Sequence, residues 1–385
     1  MQILSFNFLM YTFAGIWRPV EWSSNGAKLL YNIFTSIVLL LEYFLMLSQF
    51  MDILLMMDNI DDFVTNSLIF AGVAVVTCKT TLVVIRRDAI INLVQILLTA
   101  PCKPRNEDEK MIQTKFDEFI RSWSMKYFLL AMSSLTSVTI RSVLNVIQGE
   151  LPYRVWVPFD YNIPLVFWIV SIQQTVTMIF ATIINVGTET LVFGLFLQTC
   201  AQLEIFENRL HKLVTNKTTK YIEHSLASSS ASENNNVMIS EHIRHHLSIY
   251  KYAETVNVIF NEVLFMQFFG SILILCTSVF YMSAHISESG TAPLLVYTIC
   301  MFVQIYVYCW SGNEVMLKSM SIGDAVYHLD WPSLPISEKK ELLMIMIRST
   351  IPIKFTSSFL ITISLQSYVN MLKTSYSAFN VLQQS

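Results

Sequence analysis

The arrangement of positive charges around the apolar segments constrains the fold of this chain more than any other feature. Each of seven apolar stretches meets or exceeds the ~20 residues that a helix needs to cross a bilayer core. These stretches cover residues 29–57, 64–85, 124–148, 164–200, 256–284, 293–314 and 351–378. Of the 25 Lys and Arg residues, 21 lie in the N-terminal segment and in every second loop, whereas the opposite loops contain only Arg154. Because basic residues are retained on the cytoplasmic side, the sequence predicts an all-α membrane protein with seven transmembrane helices, a cytoplasmic N-terminus and an extracellular C-terminus.

Composition and the charge pattern separate the chain from two other classes of protein, soluble domains and G-protein-coupled receptors. A soluble domain has about 25% charged residues, whereas this chain has 14% charged and 54% hydrophobic residues. A G-protein-coupled receptor also has seven helices, but its orientation in the membrane is the reverse of the one predicted here. A metabotropic seven-helix receptor would need that reverse orientation, and it remains an alternative that a measurement of topology would test.

The N-terminal segment and the modification motifs fit this topology. The first 20 residues lack a basic region and a small-residue cleavage site, so no removable signal peptide is predicted. Residues 3–16 are interpreted as an interfacial helix, because the apolar run is short and ends at Arg18-Pro19. The six cysteines show no CxxC and none lies in an outer loop, so no structural disulfide is expected. The sequon at Asn216 falls on the predicted cytoplasmic side and is expected to carry no glycan.

The cytoplasmic segments are long and partly helical in pattern. Apolar residues recur at helical spacing in 201–213 and 243–254, which predicts that the fourth and fifth helices extend below the membrane and pack together. Between them, the Ser/Asn-rich tract 225–236 is interpreted as a disordered loop. A further cytoplasmic helix is predicted to start near Ser337 as N-cap, with Glu338 in its first turn.

These elements suggest a division of the chain into two parts. Residues 1–314 hold helices one to six and the long helical cytoplasmic loops, and residues 315–385 hold a cytoplasmic helix and the seventh span. The cytoplasmic helices together predict a helical anchor region beneath the membrane. A secondary transporter would usually show paired broken helices in two related halves, and the sequence shows no such pairing.

No motif in the sequence supports catalysis or a cofactor. His242, His245 and His246 suggest a metal site at first, because positions 242 and 246 share a helix face. There is no HExxH and no third ligand, so a solvated histidine cluster is the preferred interpretation. No GxSxG, P-loop or nucleotide fingerprint is present either, and we expect neither an enzyme nor a nucleic-acid-binding protein.

Ionisable residues inside the predicted spans are costly to bury without a partner or water. The general interpretation is that several lie near the ends of spans or pair between helices. The ionisable residues singled out inside the predicted spans are Glu42, Lys79, Arg141, Glu189, Glu262 and Lys373.

Aromatic and Met residues in the outer halves of the spans admit two interpretations. Side chains such as Phe70, Trp168 and Tyr297 pack the helices or face lipid, or they line an apolar cavity for a small ligand. The final helix is also ambiguous, because small hydroxyls and Gln383 alternate with Phe379 and Leu382. Such mixing suits a wall exposed to water, as in a conduction path with an apolar constriction, or else the helix faces lipid.

Four segments of the sequence resemble the insect odorant receptors. They occur in the expected order: Val155-Trp156-Val157-Pro158-Phe159-Asp160, Tyr308-Cys309-Trp310-Ser311-Gly312-Asn313-Glu314, Ala325-Val326-Tyr327 with Trp331, and Lys373-Thr374-Ser375-Tyr376-Ser377-Ala378-Phe379. The Ser-Tyr-Ser motif is the most specific of these, and it differs from the Thr-Tyr pattern of insect gustatory receptors, which remain an alternative. The serine-rich insertion at 225–236 departs from the compact loop of many family members.

The resemblance implies an odorant-gated, non-selective cation channel of four subunits around one central pore. It implies that a tuning receptor of this kind assembles with the shared odorant receptor co-receptor in the plasma membrane of the olfactory neuron dendrite. The ligand is then a small volatile or hydrophobic molecule, bound among the second, third, fourth and sixth helices. Our expected ligand-binding residues are Phe70, Val73, Val138, Ser142, Trp168, Gln174, Met178, Tyr297, Met301 and Gln304.

The resemblance also implies that the outer half of the seventh helix lines the pore. A repeat of 3.6 residues places Ser375, Phe379, Leu382 and Gln383 on one stripe of that helix. Phe379 is the candidate for an apolar constriction, and Gln383 is the candidate for an uncharged polar ring near the outer mouth. The competing interpretation is that this stripe faces lipid or neighbouring helices.

Overall fold

The computed structural model describes residues 4–18, 24–56, 60–161, 163–224, 233–284, 292–329, 334–358 and 361–384. This part of the chain forms α1 (Ser5–Phe13), α2 (Asn25–Leu55), α3 (Ile60–Ile85), α4 (Arg87–Leu98), α5 (Glu107–Ile147), α6 (Pro164–His224), α7 (Glu233–Ala284), α8 (Ala292–Tyr327), α9 (Ile336–Ser349), β1 (Thr356–Ser357), β2 (Ile361–Thr362) and α10 (Leu365–Gln384).

Six long helices confirm the first six predicted spans. Within the described residues, α2, α3, α5, α6, α7 and α8 are each long and apolar enough to cross a membrane. Their ends agree with the predicted spans except where a helix continues beyond the bilayer. With α10, they make the seven-helix all-α fold that the charge pattern predicted.

The predicted start of the seventh span, at residue 351, is wrong. The described residues 351–358 and 361–364 precede the helix and contain the antiparallel strand pair β1–β2, in which Thr356 pairs with Thr362, and α10 begins only at Leu365. The apolar residues that suggested an earlier start, Ile353, Phe355 and Ile363, are buried in the protein core and do not face lipid. The 20 residues of α10 rise about 30 Å, which still matches the thickness of a bilayer core.

The helices α6 and α7 continue past their predicted spans and pack together, as the sequence predicted. Leu203, Phe206 and Leu210 of α6 join Ile249 and Tyr252 of α7 in the main buried cluster. Residues 225–232 of the predicted disordered loop lie outside the described residues, and α7 already begins at Glu233.

The helix predicted near residue 337 is present as α9, but its predicted cap is wrong. Pro335 is the N-cap residue and makes no side-chain cap, while Ser337 and Glu338 both lie inside the first turn. Proline lacks a backbone N–H, so it ends a preceding helix, and its fixed φ is compatible with the start of a new one. Pro335 therefore marks the start of α9, and the hydroxyl of Ser337 does not cap it.

The short helix α1 packs into the bundle and does not lie alone at the interface. Asn7 donates a hydrogen bond to Thr190 Oγ1 at 2.7 Å, and the Tyr11 hydroxyl donates one to Thr188 Oγ1 at 2.9 Å. Two glycines of α6 make room for this contact, since an added Cβ at Gly187 or Gly194 would meet the side chains of α1 and its flank at 3.0 Å or less. The nine residues of α1 are too few to span a bilayer, in agreement with the predicted non-spanning segment.

Candidate ligand-binding site

A cavity of about 1040 Å³ is lined mainly by α3, α5, α6 and α8, with single residues of α2 and α7, such as Asp52 and Tyr281, also at its wall. The segment 149–157, which joins α5 to α6 on the predicted outer side, covers one end of the cavity. Its volume is at the upper end of the range for small-molecule sites, which is roughly 300–1,000 Å³. The four main lining helices are the second, third, fourth and sixth spans, which is the set the sequence analysis assigned to the ligand.

Seven of the ten predicted ligand-binding residues line this cavity. They are Val73, Val138, Ser142, Met178, Tyr297, Met301 and Gln304. The structure therefore brings together side chains that are up to 231 positions apart in the sequence, since Val73 and Gln304 lie on the same cavity.

The structure corrects the placement of the other three predicted residues. Phe70 packs against Phe50 of α2, with their ring centroids 5.7 Å apart. Trp168 is 56% exposed on the outside of α6, where lipid would surround it. Gln174 is buried behind the cavity, and its Oε1 accepts a hydrogen bond from the backbone N–H of Tyr153 at 2.9 Å. Gln174 thus holds the segment that covers the cavity and does not contribute to its wall.

Arg154 fastens the covering segment to two helices. Its guanidinium lies 3.2 Å from Asp52 of α2, forms an ion pair with Asp62 of α3 and donates to the carbonyl of Met56 at 2.6 Å. Asn66 donates to the same Asp52 carboxylate at 2.8 Å. In the sequence, Arg154 stands out only as an exception to the charge bias. A single outer cation near two carboxylates was the signal that could have indicated this clamp.

A buried ion pair lies behind the inner end of the cavity. Lys79 of α3 is fully buried and donates to Glu189 of α6 and to Gln267 of α7, and its Nζ lies 3.0 Å from Asn185 Oδ1. Gln304 of α8 donates to the same carboxylate of Glu189. Two members of this group, Asn185 and Gln304, also line the cavity.

The other ionisable residues within the spans lie outside this group. Glu262 pairs with Arg86 at a half-exposed position, as the interpretation of interhelical pairing predicted. Glu42 is buried, and Thr80 Oγ1 lies 3.4 Å from its Oε1. Arg141 lines the cavity, and Lys373 is exposed on α10.

The predicted pore stripe is described only in part. Ser375 is buried against α7, where its carbonyl lies 3.8 Å from the sulfur of Cys276, so the expectation that it faces an open path is wrong within this chain. The side chains of Phe379, Leu382 and Gln383 lie outside the described residues. Tyr376, one position after Ser375, is 66% exposed.

The histidine cluster is not solvated, which corrects the preferred interpretation. His242, His245 and His246 are all buried. His246 stacks on Phe206 of α6 with centroids 4.9 Å apart, and His245 Nδ1 lies 3.2 Å from the guanidinium of Arg209. The described residues contain no group of three possible metal ligands. The extension of α6 covers this face of α7, which periodicity within α7 alone does not reveal.

Comparisons with known proteins agree on one family. The family model described as "7tm Odorant receptor" matches residues 59–376. The chain is 24% identical over 290 residues to Odorant receptor 10 of Aedes albopictus, covering 72% of each chain. It is 25% identical to Odorant receptor 46a, isoform A, of Drosophila melanogaster, over 73% of this chain and 72% of that protein. The solved structure of olfactory receptor OR5 from Machilis hrabei in complex with eugenol has a TM-score of 0.83 at 17% identity, covering 99% of this chain and 97% of that one.

Proposed function

This chain belongs to the insect odorant receptor family, whose model matches most of its length, and on that premise we propose that it is a tuning olfactory receptor and an odorant-gated, non-selective cation channel subunit. It acts with the shared odorant receptor co-receptor in a channel of four subunits. We place it in the plasma membrane of the olfactory neuron dendrite, as a multi-pass protein.

The observation that carries this proposal is the cavity itself. Its walls are largely apolar, with Val73, Val138, Met178 and Met301 among the lining residues, and it is large enough to enclose a small volatile molecule. Eugenol, the ligand in the OR5 complex, is a small molecule of this kind. Binding opens the channel if the ligand has higher affinity for the open arrangement of the helices than for the closed one, because only differential affinity shifts the equilibrium.

The path from cavity to pore runs through α7 and α8. Residues of both helices line the cavity, including Tyr281 of α7 and Tyr297 of α8. Both helices also pack against α10, for example where Tyr306 and Tyr368 meet with their ring centroids 5.7 Å apart. A ligand that changes the packing of α7 or α8 therefore also changes the contacts of these helices with α10, which we propose lines the pore.

Current recording tests the proposal directly. The chain is expressed with the co-receptor, and whole-cell currents are measured against a broad volatile panel that includes long-chain hydrocarbons. Some of these volatiles should evoke rapid cation currents that persist when G-protein signalling is blocked, and cells with the co-receptor alone should not show the same tuning. Responses that require G-protein signalling would support the metabotropic alternative instead.

The charge bias of the loops predicts the accessibility of the two ends of the chain. An epitope tag at the C-terminus should stain in intact cells, a tag at the N-terminus should stain only after permeabilisation, and Asn216 should carry no glycan. The inverse staining pattern would contradict the topology and the channel proposal with it.

Truncating a side chain of the cavity wall should weaken the response to an odorant. Met178→Ala or Met301→Ala removes apolar contact from the cavity, and a loss of about 1–3 kcal/mol corresponds to a rise of about 10- to 200-fold in the half-maximal odorant concentration. Trp168→Ala is the matched control, because Trp168 lies on the same helix as Met178 but faces outward. Equal potency of wild type and both Met variants would refute this assignment of the cavity.

The proposed gate makes a different prediction. Phe379→Ala should raise leak current or alter relative ion permeability without a large change in odorant potency, because an apolar ring closes a path by excluding water. Gln383→Ala should alter permeability alone. Normal leak and normal permeability ratios in both variants, at normal surface levels, would exclude these residues from the pore lining.

A further inference from the structure

The buried ion pair determines which way two amide side chains of the cavity are turned. A lysine ammonium has three N–H donors and no acceptor. Lys79 directs its Nζ at Glu189, Gln267 and Asn185, with the last contact at 3.0 Å. All three contacts therefore require oxygen atoms, so Asn185 presents Oδ1 to the lysine. Its Nδ2 group must then point away from Lys79.

The orientation of Gln304 follows from the other member of the pair. An ionised carboxylate accepts hydrogen bonds and donates none. Since Gln304 is bonded to the Glu189 carboxylate, it must present its Nε2 group there. Its carbonyl oxygen Oε1 is consequently turned away from Glu189.

The two outward atoms are available to a ligand. Within the described part of the chain, neither Nδ2 of Asn185 nor Oε1 of Gln304 has a hydrogen-bond partner, and neither is enclosed by protein atoms. Both residues line the cavity. Its inner end thus offers one fixed donor and one fixed acceptor, at the far end from the Arg154 clamp.

We propose that this inner end is a subsite for a hydroxyl group, and that the ligand class is an apolar molecule with one terminal hydroxyl, such as an alkanol or a phenol. A hydroxyl accepts from Asn185 and donates to Gln304, so it satisfies both atoms at once. An ether or a ketone satisfies only Asn185, and a hydrocarbon satisfies neither. Lys79 and Glu189 act as positioning residues that hold the two amides in this orientation.

Unpaired polar groups give such a subsite its selectivity. When a ligand that lacks the donor displaces water from Gln304, the amide oxygen loses a partner, which is more costly than an absent apolar contact. The expected order of affinity is alkanol first, then the isomeric methyl ether, then the alkane of equal heavy-atom number. Each step should change affinity by about tenfold. This inference rests on the proposed function for the identity of the cavity as the ligand site.

A binding measurement on the purified full-length chain in lipid nanodiscs tests the subsite without relying on channel opening. The probes are 1-octanol, its isomer 1-methoxyheptane and nonane, which have equal numbers of heavy atoms, with the homologues one and two carbons shorter and longer. Ligand-induced shifts of the unfolding midpoint give the affinities. The alkanols should bind about tenfold more tightly than the ethers. Equal affinities for alkanol and ether, or no binding in any series, would overturn the proposal.

Substitutions test which residue is responsible for each ligand preference. Gln304→Leu should remove the preference for alkanol over ether, and Asn185→Leu should remove the preference for ether over alkane. Gln173→Leu is the control, because Gln173 lies on α6 with Asn185 but donates to Thr177 outside the cavity. Where either test variant fails to fold, the order of affinities for alkanol, ether and alkane in the wild type still decides whether the hydroxyl subsite exists. Alkanol binding without odorant-evoked current would contradict the channel proposal alone, whereas odorant currents without a preference for alkanols would contradict the subsite alone.

Discussion

Replacing Glu189 with leucine is expected to destabilise the protein by about 3–5 kcal/mol, because it removes the charged partner of a fully buried lysine. Lys79 has no exposed surface, and Glu189 is only 4% exposed. The leucine would leave the ammonium of Lys79 inside the helix bundle with only amide oxygens around it, and Gln304 would lose its acceptor. The expected result is a large fall in the thermal unfolding midpoint of the purified protein and in its level at the cell surface.

Two further variants distinguish the effect of the unpaired charge on Lys79 from an effect of any substitution at position 189. The double substitution Lys79→Met with Glu189→Leu removes both charges and should recover much of the lost stability, since a buried pair is often replaceable by apolar residues of similar size. Glu262→Leu is the matched control. Its ion pair with Arg86 is partly exposed, at 49% and 26%, so its loss should cost about 1 kcal/mol or less. A double variant as unstable as the single one would show that packing, and not the unpaired charge, dominates.

The number of membrane helices was predictable because their signals are local. A span of about 20 apolar residues and a bias of basic residues between alternate loops are both properties of the sequence alone. The start of the last span was not predictable in this way. Ile353 and Phe355 are apolar because they fill the protein core, and hydropathy does not distinguish a side chain that faces lipid from one that faces protein.

The candidate site was predictable to the level of helices and only partly to the level of side chains. Trp168 and Met178 lie on one helix and have similar apolar character, yet one faces outward and the other lines the cavity. Helix periodicity fixes which residues share a face, but the rotation of each helix depends on its neighbours. Resemblance to a family supplied the choice of helices, and the packing of this chain supplied the rotation.

Contacts between residues far apart in the sequence could not be predicted, for a related reason. The sequence marked Lys79 and Glu189 as costly residues to bury, but 110 positions separate them and nothing in either segment identifies the other. The histidines of α7 were misinterpreted in the same way. Their burial depends on Phe206 of α6, which is 40 residues from His246. Interhelical contacts of this kind require three-dimensional coordinates or many aligned sequences.

The same logic of buried charge predicts a second large effect, in the part of the chain that the charge pattern assigns to the cytoplasmic side. Arg209 of α6 is 5% exposed and makes a two-pronged contact with Glu109 of α5, with N···O distances of 3.1 and 2.7 Å. It also donates to the carbonyls of Pro101 at 2.7 Å and Lys103 at 2.9 Å. Burial alone would raise the pKa of Glu109, but the hydrogen bonds and the charge of Arg209 outweigh it and hold that pKa below its usual value. The carboxylate is therefore ionised and depends on the arginine.

Arg209→Met should accordingly destabilise the protein by about 3–5 kcal/mol, because it removes the cationic partner of the buried Glu109 carboxylate and releases two loop carbonyls. Arg209→Lys should rescue little, since an ammonium cannot reproduce the planar fork that reaches Glu109 and both carbonyls together. The measurements are the thermal unfolding midpoint and the rate of tryptic cleavage after Arg105, which should rise when the loop loses its attachment. Lys212→Met is the control one turn further along α6, because its ion pair with Asp108 is exposed and should contribute about 1 kcal/mol or less. If Arg209→Met matched Lys212→Met in both measurements, Arg209 would not hold the loop to the bundle, and another contact would have to explain how α5 and α6 stay in register there.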